Sequence, residues 1–471
     1  MKSFSCFRSR AVLLLAVSCL ILPAVSAVAQ AQSNVGRRFP SEKKTYNDPV
    51  TQLPIAVLTS DPANDAKPYQ THTTWTADGK WILFRSDRGG SGSQAFIVNE
   101  TNGDIIQLTD GPGTGTGSLN LARKSMRLYF FRGGPQMGPR AAAAATAPAQ
   151  PDAPRQLIEL NLDTLIADSM AGKLKASASY ERVVATVPSD LRDAGGFALD
   201  ADETVAYWGV SWGPVPTPPP TAATGSDAAK PKLDQQNTDP TQSRDASRLR
   251  FEAMGKGPGG IRKIDLKTGA ISTVIDVDFR MGHVQTNPWV PGEIIYCHET
   301  TGDGPQRMWT VRGDGTGNRP LYAETPDEWI THETVAGPDE VMFNIMGHLP
   351  YLRERPTGIA VINLRTNNMK ILGQMEEDMG QGRLGGYWHC NGSPDGRWAV
   401  GDNFSGQIFV INRTTGKQTL LTTDHKMKPD HTHPIFSPDS KRVAIQSGHL
   451  SDGKSLDLMV VALPEKLLST E

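Results

Sequence analysis

The chain has 471 residues, of which 38% are hydrophobic and 21% charged, enough to bury a large core as one big domain or as two or three ordinary ones. A formal net charge of −2 lacks the basic excess that binding to nucleic acid or to an anionic membrane requires, so we expect no nucleic-acid partner. The 46 glycines and 34 prolines are typical of many short strands joined by turns.

The first 29 residues have the pattern of an export signal. Three basic residues among the first ten precede an apolar run over residues 11–28, which ends in the small-x-small sequence Ala27-Val28-Ala29. The pattern predicts a signal peptide over residues 1–29 and an exported protein, periplasmic or extracellular, with no integral membrane segment after signal removal. A membrane anchor and a lipoprotein attached through Cys19 are the alternatives.

A polar turn followed by a hydrophobic strand recurs seven times between residue 77 and residue 445. The apolar parts of the copies begin at Trp81, Leu128, Val205, Ile294, Val341, Trp398 and Val443. Most copies are followed by a strand that runs into a turn of the type Ile-Asn/Asp-x-x-Thr-Gly, with a looser copy at Leu160-Asn161-Leu162-Asp163. The spacing of roughly 45 to 55 residues is that of a four-stranded blade. The sequence therefore predicts an all-β chain, a seven-bladed β-propeller over residues 30–471.

Two segments interrupt the repeat. The segment near residues 133–154 is rich in Ala and Pro, and the segment near residues 214–247 is rich in Pro, Thr and Ala and then polar. Neither has an apolar period that could fill a core. We interpret both as surface insertions, with a lid over a site as the alternative.

Five polar clusters, each containing histidine, fall at roughly equivalent places in successive repeats. They are Met281-Gly282-His283, Cys297-His298-Glu299, Thr331-His332-Glu333, Tyr387-Trp388-His389 and His431-Thr432-His433. Equivalent positions of a propeller converge around one axis, so these side chains are expected to become neighbours.

The last cluster carries two histidines one residue apart. Because side chains of an extended backbone alternate, the rings of His431 and His433 would project the same way. Together with His332 they would offer three neutral imidazoles, which suit a divalent transition metal. The alternative is a set of hydrogen-bonded strand-end histidines.

These clusters, with Arg307-Met308-Trp309 and the run from His431 to Pro438, resemble the corresponding blocks of the oligogalacturonate lyases. Members of that family are seven-bladed propellers that cleave short pectic oligomers by β-elimination, and the resemblance is best from about Ile261 onward. It implies a manganese ion, or another divalent metal, held by His332, His431 and His433 and by a glutamine three residues before the pair. The glutamine position is Lys428 in this chain, and an ammonium has no lone pair to donate.

The resemblance also implies that His283 is the general base. The family's catalytic-site arginine corresponds to Gly260, with Arg262 two residues on and on the same strand face. Arg262 and Arg307 are the candidate partners of a substrate carboxylate, and an ordinary ion pair is the alternative for each.

Four further residues are candidates for contact with the substrate. We expect His389 and Lys428 to complete the substrate-binding set with Arg307. Tyr387 and Trp388 could stack on sugar faces, with core packing as the alternative.

Elimination from a 4-linked uronate removes the proton at C5 while the glycosidic oxygen leaves C4. A neutral histidine suits the proton transfer, and a cation or an arginine stabilises the charge that develops on the carboxylate. The expected function is a lyase acting on acidic, uronate-containing oligosaccharides. The alternatives are a propeller lyase for a different uronate glycan and a non-catalytic propeller that binds sugars or proteins.

Overall fold

A computed structural model describes Met1 and residues 33–469, except 61, 91, 135–153, 214–254, 301–305, 326–327, 348–357, 376 and 379–383. The predicted signal peptide and nearly all of the two predicted insertions lie outside the described residues. In the part that the structure describes, no helix is both long enough and apolar enough to cross a membrane.

The strands form seven antiparallel sheets in a ring, which confirms the predicted seven-bladed β-propeller. The first blade contains β1 (Arg38–Phe39), β4 (Trp81–Ser86), β5 (Gln94–Asn99) and β6 (Ile105–Gln107). The second contains β7 (Asn120–Leu121), β8 (Arg127–Arg132), β9 (Gln156–Asn161) and β10 (Glu181–Thr186). The third contains β11 (Arg192–Leu199), β12 (Val205–Ser211), β13 (Lys256–Asp265) and β14 (Ile271–Phe279). The fourth blade contains β15 (Met281–Thr286), β16 (Glu293–His298), β17 (Met308–Arg312) and β18 (Arg319–Pro320). The fifth contains β19 (Glu328–Gly337), β20 (Glu340–Gly347), β21 (Gly358–Asn363) and β22 (Met369–Gln374). The sixth contains β25 (Tyr387–Gly392), β26 (Trp398–Asn403), β27 (Ile408–Asn412) and β28 (Gln418–Thr422).

The seventh blade joins the two ends of the propeller. It contains β2 (Lys44–Asn47), β3 (Pro54–Val57), β29 (Ile435–Phe436), β30 (Arg442–Ser447) and β31 (Asp457–Ala462). β3 pairs with β31, with Ile55 opposite Val461, so strands from both ends of the chain complete this sheet. A small hairpin of β23 (Glu377–Asp378) and β24 (Leu384–Gly385) lies between the fifth and sixth blades in sequence.

Each of the seven predicted repeats corresponds to the second strand of a blade. These strands are β4, β8, β12, β16, β20, β26 and β30. The first strands lie inside them and contact one another around the ring, as β11 contacts β15 and β19 contacts β25. Most of the polar clusters lie on or next to these inner strands.

The core is divided among the spaces between neighbouring blades. Seven hydrophobic clusters of buried residues each join two successive sheets, and together they go once around the ring. Leu83 of the first blade and Phe130 of the second belong to one such cluster, and Val57 of the seventh blade and Val400 of the sixth belong to another. Apolar burial of this kind is the main favourable contribution to folding, and it holds the blades face to face.

One predicted turn is wrong. The stretch around Leu160–Asp163 leads into the helix α1 (Leu162–Ala171), because the Asn161 side chain accepts a hydrogen bond from the Thr164 amide at 3.1 Å and so caps the helix start. Gly172, at φ +65°, ends it in the left-handed conformation. A second short helix, α2 (Glu465–Leu468), follows β31.

Candidate metal centre and active site

The strand pairing is irregular at two of the site histidines. The pairing register shifts between Gly282 and Gln285 on β15 and between Thr331 and Thr334 on β19, which places a bulge at His283 and at His332. Their backbones have φ of +49° and +56°, a conformation that costs an ordinary residue about 1–2 kcal/mol. Bulges of this kind re-aim side chains next to active sites.

The last histidine pair departs from the extended backbone that we expected. His433 has φ of +46°, and residues 431–434 belong to no strand. The rings of His431 and His433 nevertheless belong to the same cluster, with their centroids 6.3 Å apart. A local kink before β29, rather than strand alternation, brings them there.

His389 lies at the centre of this histidine cluster. Its ring centroid is 4.2 Å from that of His332, 4.1 Å from that of His433 and 5.3 Å from that of His431. His389 is 2% exposed, so it lies among the other rings rather than on a substrate-facing surface.

Polar partners fix the orientation of three of these rings through Nδ1. The Tyr69 hydroxyl lies 2.6 Å from Nδ1 of His332, and Oε1 of Gln70 lies 2.9 Å from Nδ1 of His433. The carboxylate oxygens of Asp402 lie 3.1 and 3.2 Å from Nδ1 of His389. Although burial acts to raise it, the pKa of Asp402 is lowered to about 2 by His389 and by the hydrogen bond from Thr432. The carboxylate is therefore ionised and can only accept.

Two rings of the cluster each keep a ring nitrogen free of hydrogen bonds to any described residue. Nε2 of His332 and Nδ1 of His431 are buried and have no hydrogen-bond partner among the described residues. Burial, followed by the neighbouring His389, lowers the pKa of His332 well below its usual value and that of His433 to about 3. These imidazoles are neutral at ordinary pH, and their unshared electron pairs fit a divalent metal ion.

The cluster is not arranged at bonding distances. Among the described residues, only His283, Cys297 and Glu333 bring three donor atoms within 4.8 Å of one another. The predicted ligands His332, His431 and His433 do not meet that spacing, and neither does any set of three described residues that includes His389.

The trio of His283, Cys297 and Glu333 is better suited to a general base stabilised by a carboxylate than to binding a second metal ion. Arg307 donates through Nε to Oε2 of Glu333 at 3.0 Å, so the carboxylate is already neutralised. Burial raises the pKa of the Cys297 thiol well above its usual value, which keeps it protonated and a poor ligand.

His283 itself lies between two carboxylates. Its Nδ1 is 3.3 Å from Oε1 of Glu333, and its Nε2 is 3.6 Å from Oε2 of Glu299. Burial acts to raise the pKa of Glu333, but Arg307 and His283 together lower it. An ionised, fully buried carboxylate beside the ring stabilises the imidazolium that forms when His283 accepts a proton.

The two predicted arginines lie in different places. Arg307 is 5% exposed and faces Glu333 and Glu299 behind His283. Arg262 lies on β13, the third strand of its blade, where it pairs with Asp276 at 2.6 Å and covers the ring of Trp212. Its Nη1 is 2.9 Å from the point where a Cβ on Gly260 would lie, so its guanidinium occupies the space that this glycine leaves.

The three remaining candidates from the sequence lie at the surface, in the core and beside the histidine cluster. Lys428 is exposed, and no described residue of the histidine cluster contacts its ammonium. Tyr387 is buried and donates to Gln418, which is core packing. Trp388 is half-buried, with its ring 4.7 Å from that of His332 and 5.8 Å from that of His431.

Sequence reasoning missed Tyr69, whose ring lies between His283 and the histidine cluster. Its centroid lies 5.4 Å from that of His283 and 5.0 Å from that of His433, so it separates the base from the histidine cluster. The bridges of Ala66 and Trp75 to β4 show that this segment is the inner edge of the first blade. The rule that equivalent inner positions converge could therefore have found Tyr69 and Gln70.

Comparisons with known proteins agree with the resemblance seen in the sequence. No family model matches the chain. An oligogalacturonide lyase of Pectobacterium atrosepticum is 24% identical over 448 residues, covering 89% of this chain and 96% of the relative. An oligogalacturonate lyase of Dickeya dadantii is 25% identical over 220 residues, 41% of this chain and 52% of the relative.

Two solved structures of oligogalacturonate lyases share the fold. One, in complex with manganese, superposes with a TM-score of 0.67 at 20% identity, covering 92% of this chain and all of that one. The other, from Vibrio parahaemolyticus, has a TM-score of 0.67 at 18% identity, covering 93% of this chain and all of that one. At these identities the two structures establish the shared seven-bladed architecture.

Proposed function

We propose that this chain is a lyase that cleaves oligogalacturonides by metal-assisted β-elimination. The observation that carries the proposal is a cluster of buried, neutral imidazoles beside His283, a histidine supported by two carboxylates and an arginine. The relatives named oligogalacturonide and oligogalacturonate lyases supply the substrate class.

The metal belongs with the histidine cluster. His332, His431 and His433 would hold it, and manganese is the first choice because one relative of the same fold is a manganese complex. When bound, the cation supplies positive charge to the uronate carboxylate and stabilises the enediolate-like charge that forms when the C5 proton leaves.

His283 is the proposed general base. Its Nδ1 faces Glu333 and can carry the ring proton, which leaves the Nε2 electron pair to take the C5 proton. Glu333 and Glu299 then stabilise the imidazolium electrostatically, and Arg307 lies against both carboxylates and lowers the pKa of Glu333.

The roles proposed for Arg262, Arg307 and Lys428 have less support. Arg262, which lies over Gly260 and pairs with Asp276, is the proposed partner of a substrate carboxylate. Arg307 acts through the glutamates, and a direct contact of Lys428 with substrate would occur at the rim, since this side chain is exposed. Export to the periplasm or the exterior is also proposed, on the pattern of residues 1–29.

The test is a lyase assay on the purified mature chain. Incubation with oligogalacturonides and added Mn²⁺ is expected to produce an unsaturated product, followed by its ultraviolet absorbance, and a chelator is expected to stop it. His283→Ala should abolish turnover while the metal content stays unchanged. His449→Ala is the matched control, because this ring stacks on Tyr46 and bonds to the Asp424 carbonyl, outside the site.

Three results would change the proposal. Product from another uronate glycan, but none from oligogalacturonides, would favour the different-substrate lyase. No product from any uronate would favour a non-catalytic propeller. Full activity in His283→Ala would remove this residue as the base.

A further inference from the structure

His389 has the surroundings of a metal ligand. Its Nδ1 faces both carboxylate oxygens of Asp402, which is fully buried. Asp402 is fixed in turn, because it accepts hydrogen bonds from the Thr432 hydroxyl at 2.6 Å and from the His389 amide at 2.7 Å. An ionised carboxylate can only accept, so the ring proton is on Nδ1 and the free electron pair is on Nε2.

The ring of His389 lies within the histidine cluster. No described residue hydrogen-bonds to Nε2, and the ring lies between those of His332 and His433. Metal-ligating histidines almost always bind an acceptor through their other nitrogen, which fixes the tautomer and the ring orientation.

The two neighbouring rings follow the same rule. His332 meets the Tyr69 hydroxyl through Nδ1, and His433 meets Oε1 of Gln70 through Nδ1. Nε2 of His332 has no hydrogen-bond partner among the described residues, whereas Nε2 of His433 lies 3.4 Å from Oδ1 of Asp430. His389 thus resembles His332, which the sequence assigned to the metal, in meeting a polar partner through Nδ1, and the carboxylate partner of His389 is the stronger acceptor.

We propose that His389 is a fourth histidine ligand of the metal, positioned by Asp402 and Thr432. It would supply the donor missing at Lys428, an exposed ammonium that cannot take the place of an amide oxygen. This proposal deepens the proposed function, on which it rests for the identity of the metal.

The test compares Mn²⁺ binding by the unmutated protein, His389→Ala and Asp402→Asn after removal of metal with a chelator. Titration with MnCl₂ is followed by the electron paramagnetic resonance signal of the free ion. His389→Ala is expected to bind Mn²⁺ at least tenfold more weakly, and Asp402→Asn about 10- to 100-fold more weakly. Electron spin echo modulation of the bound ion should detect one coupled nitrogen fewer in His389→Ala.

The matched control is His425→Asn. This histidine is equally buried, but its ring bonds to the hydroxyls of Ser447 and Thr422, away from the cluster. Its Mn²⁺ affinity and nitrogen count should equal those of the unmutated protein. If His389→Ala fails to fold in a thermal melt, Asp402→Asn, which keeps the side-chain shape, provides the comparison.

The outcomes separate this inference from the proposed function. Unchanged Mn²⁺ affinity and nitrogen count in His389→Ala would overturn the inference, and the lyase assay could still succeed. Weakened binding in both variants of a protein with no lyase activity would support the fourth ligand and reject the function. Absence of Mn²⁺ binding by the unmutated protein would overturn the inference.

Discussion

Removing the guanidinium of Arg307 should expose how much the fold depends on a buried charge pair. Arg307 donates to Glu333 at 3.0 Å and lies 3.8 Å from Glu299. Glu333 is fully buried and Arg307 is 5% exposed, so water cannot replace the lost partner. Breaking a buried pair from one side costs about 3–5 kcal/mol, because an uncompensated charge remains.

The size of the effect should depend on pH. In Arg307→Met the pKa of Glu333 is expected to rise above its unfolded value of about 4.3. A carboxyl whose folded pKa is raised loses stability as pH rises through that interval, because the folded state binds more protons than the unfolded state. The free energy of unfolding should therefore fall by about 3–5 kcal/mol at pH 8 and by clearly less at pH 5.

Urea unfolding, followed by tryptophan fluorescence at pH 5 and pH 8, measures the loss in the free energy of unfolding of Arg307→Met. Glu333→Gln in the same background should recover most of the loss at pH 8, because both charges are then absent. Arg38→Met is the control: it breaks a pair with Asp104 that is partly exposed to solvent, and should cost under about 1 kcal/mol. Equal losses at pH 5 and pH 8, or purely additive effects in the double variant, would refute the reasoning.

Three other changes test separate parts of the structure. Gly406→Ala should lower the free energy of unfolding by more than about 3 kcal/mol, because its Cβ would lie 1.7 Å from the His425 carbonyl oxygen. The control Gly396→Ala has a similar φ and its nearest atom at 4.0 Å, so it should lower the free energy of unfolding by only about 1 kcal/mol. Similar melting temperatures for the two variants would contradict this prediction. Burial, followed by Asp65, raises the pKa of Asp457 to about 7, so the free energy of unfolding should fall as pH rises from about 4 to about 7. In urea titrations, Asp457→Asn should remove this pH dependence and raise the free energy of unfolding by about 1–3 kcal/mol at pH 8. An unchanged pH dependence in the variant would refute the assignment to Asp457. Mn²⁺ at 100 times its Kd should raise stability by about 2.7 kcal/mol over the chelated protein in a thermal melt, and an unaffected melting temperature would argue against a site formed in the folded state.

The blades were predictable because their signal is local. A turn such as Asp265-Leu266-Lys267-Thr268-Gly269 fixes its own hairpin, since the Asp265 carboxylate accepts from the amides of Lys267 and Thr268. Seven repetitions of such units leave few architectures to choose from. Asn161 shows the limit of the pattern, because its side chain can cap a helix as readily as it can form a turn.

The site was only partly predictable because its contacts are long-range. Convergence of inner positions brought His332, His389, His431 and His433 together, as the repeat suggested. The sequence contains no sign that the carboxylate of Asp402, at the end of a neighbouring strand, fixes His389. Likewise, the pairing of Arg307 with Glu333 depends on two adjacent blades and on the depth of their burial.

The closure of the seventh blade links the assembly of the metal centre to completion of the whole chain. His431 and His433 directly precede β29, in the sheet that β2 and β3 complete from the other end of the propeller. Until β31 pairs with β3, both partners present open strand edges, which are prone to wrong associations. A fragment ending before residue 431 would therefore lack both the last blade and two of the proposed ligands. Loss of metal binding would then report a clipped or unfinished molecule, and metal uptake could serve as a quality check on the intact ring.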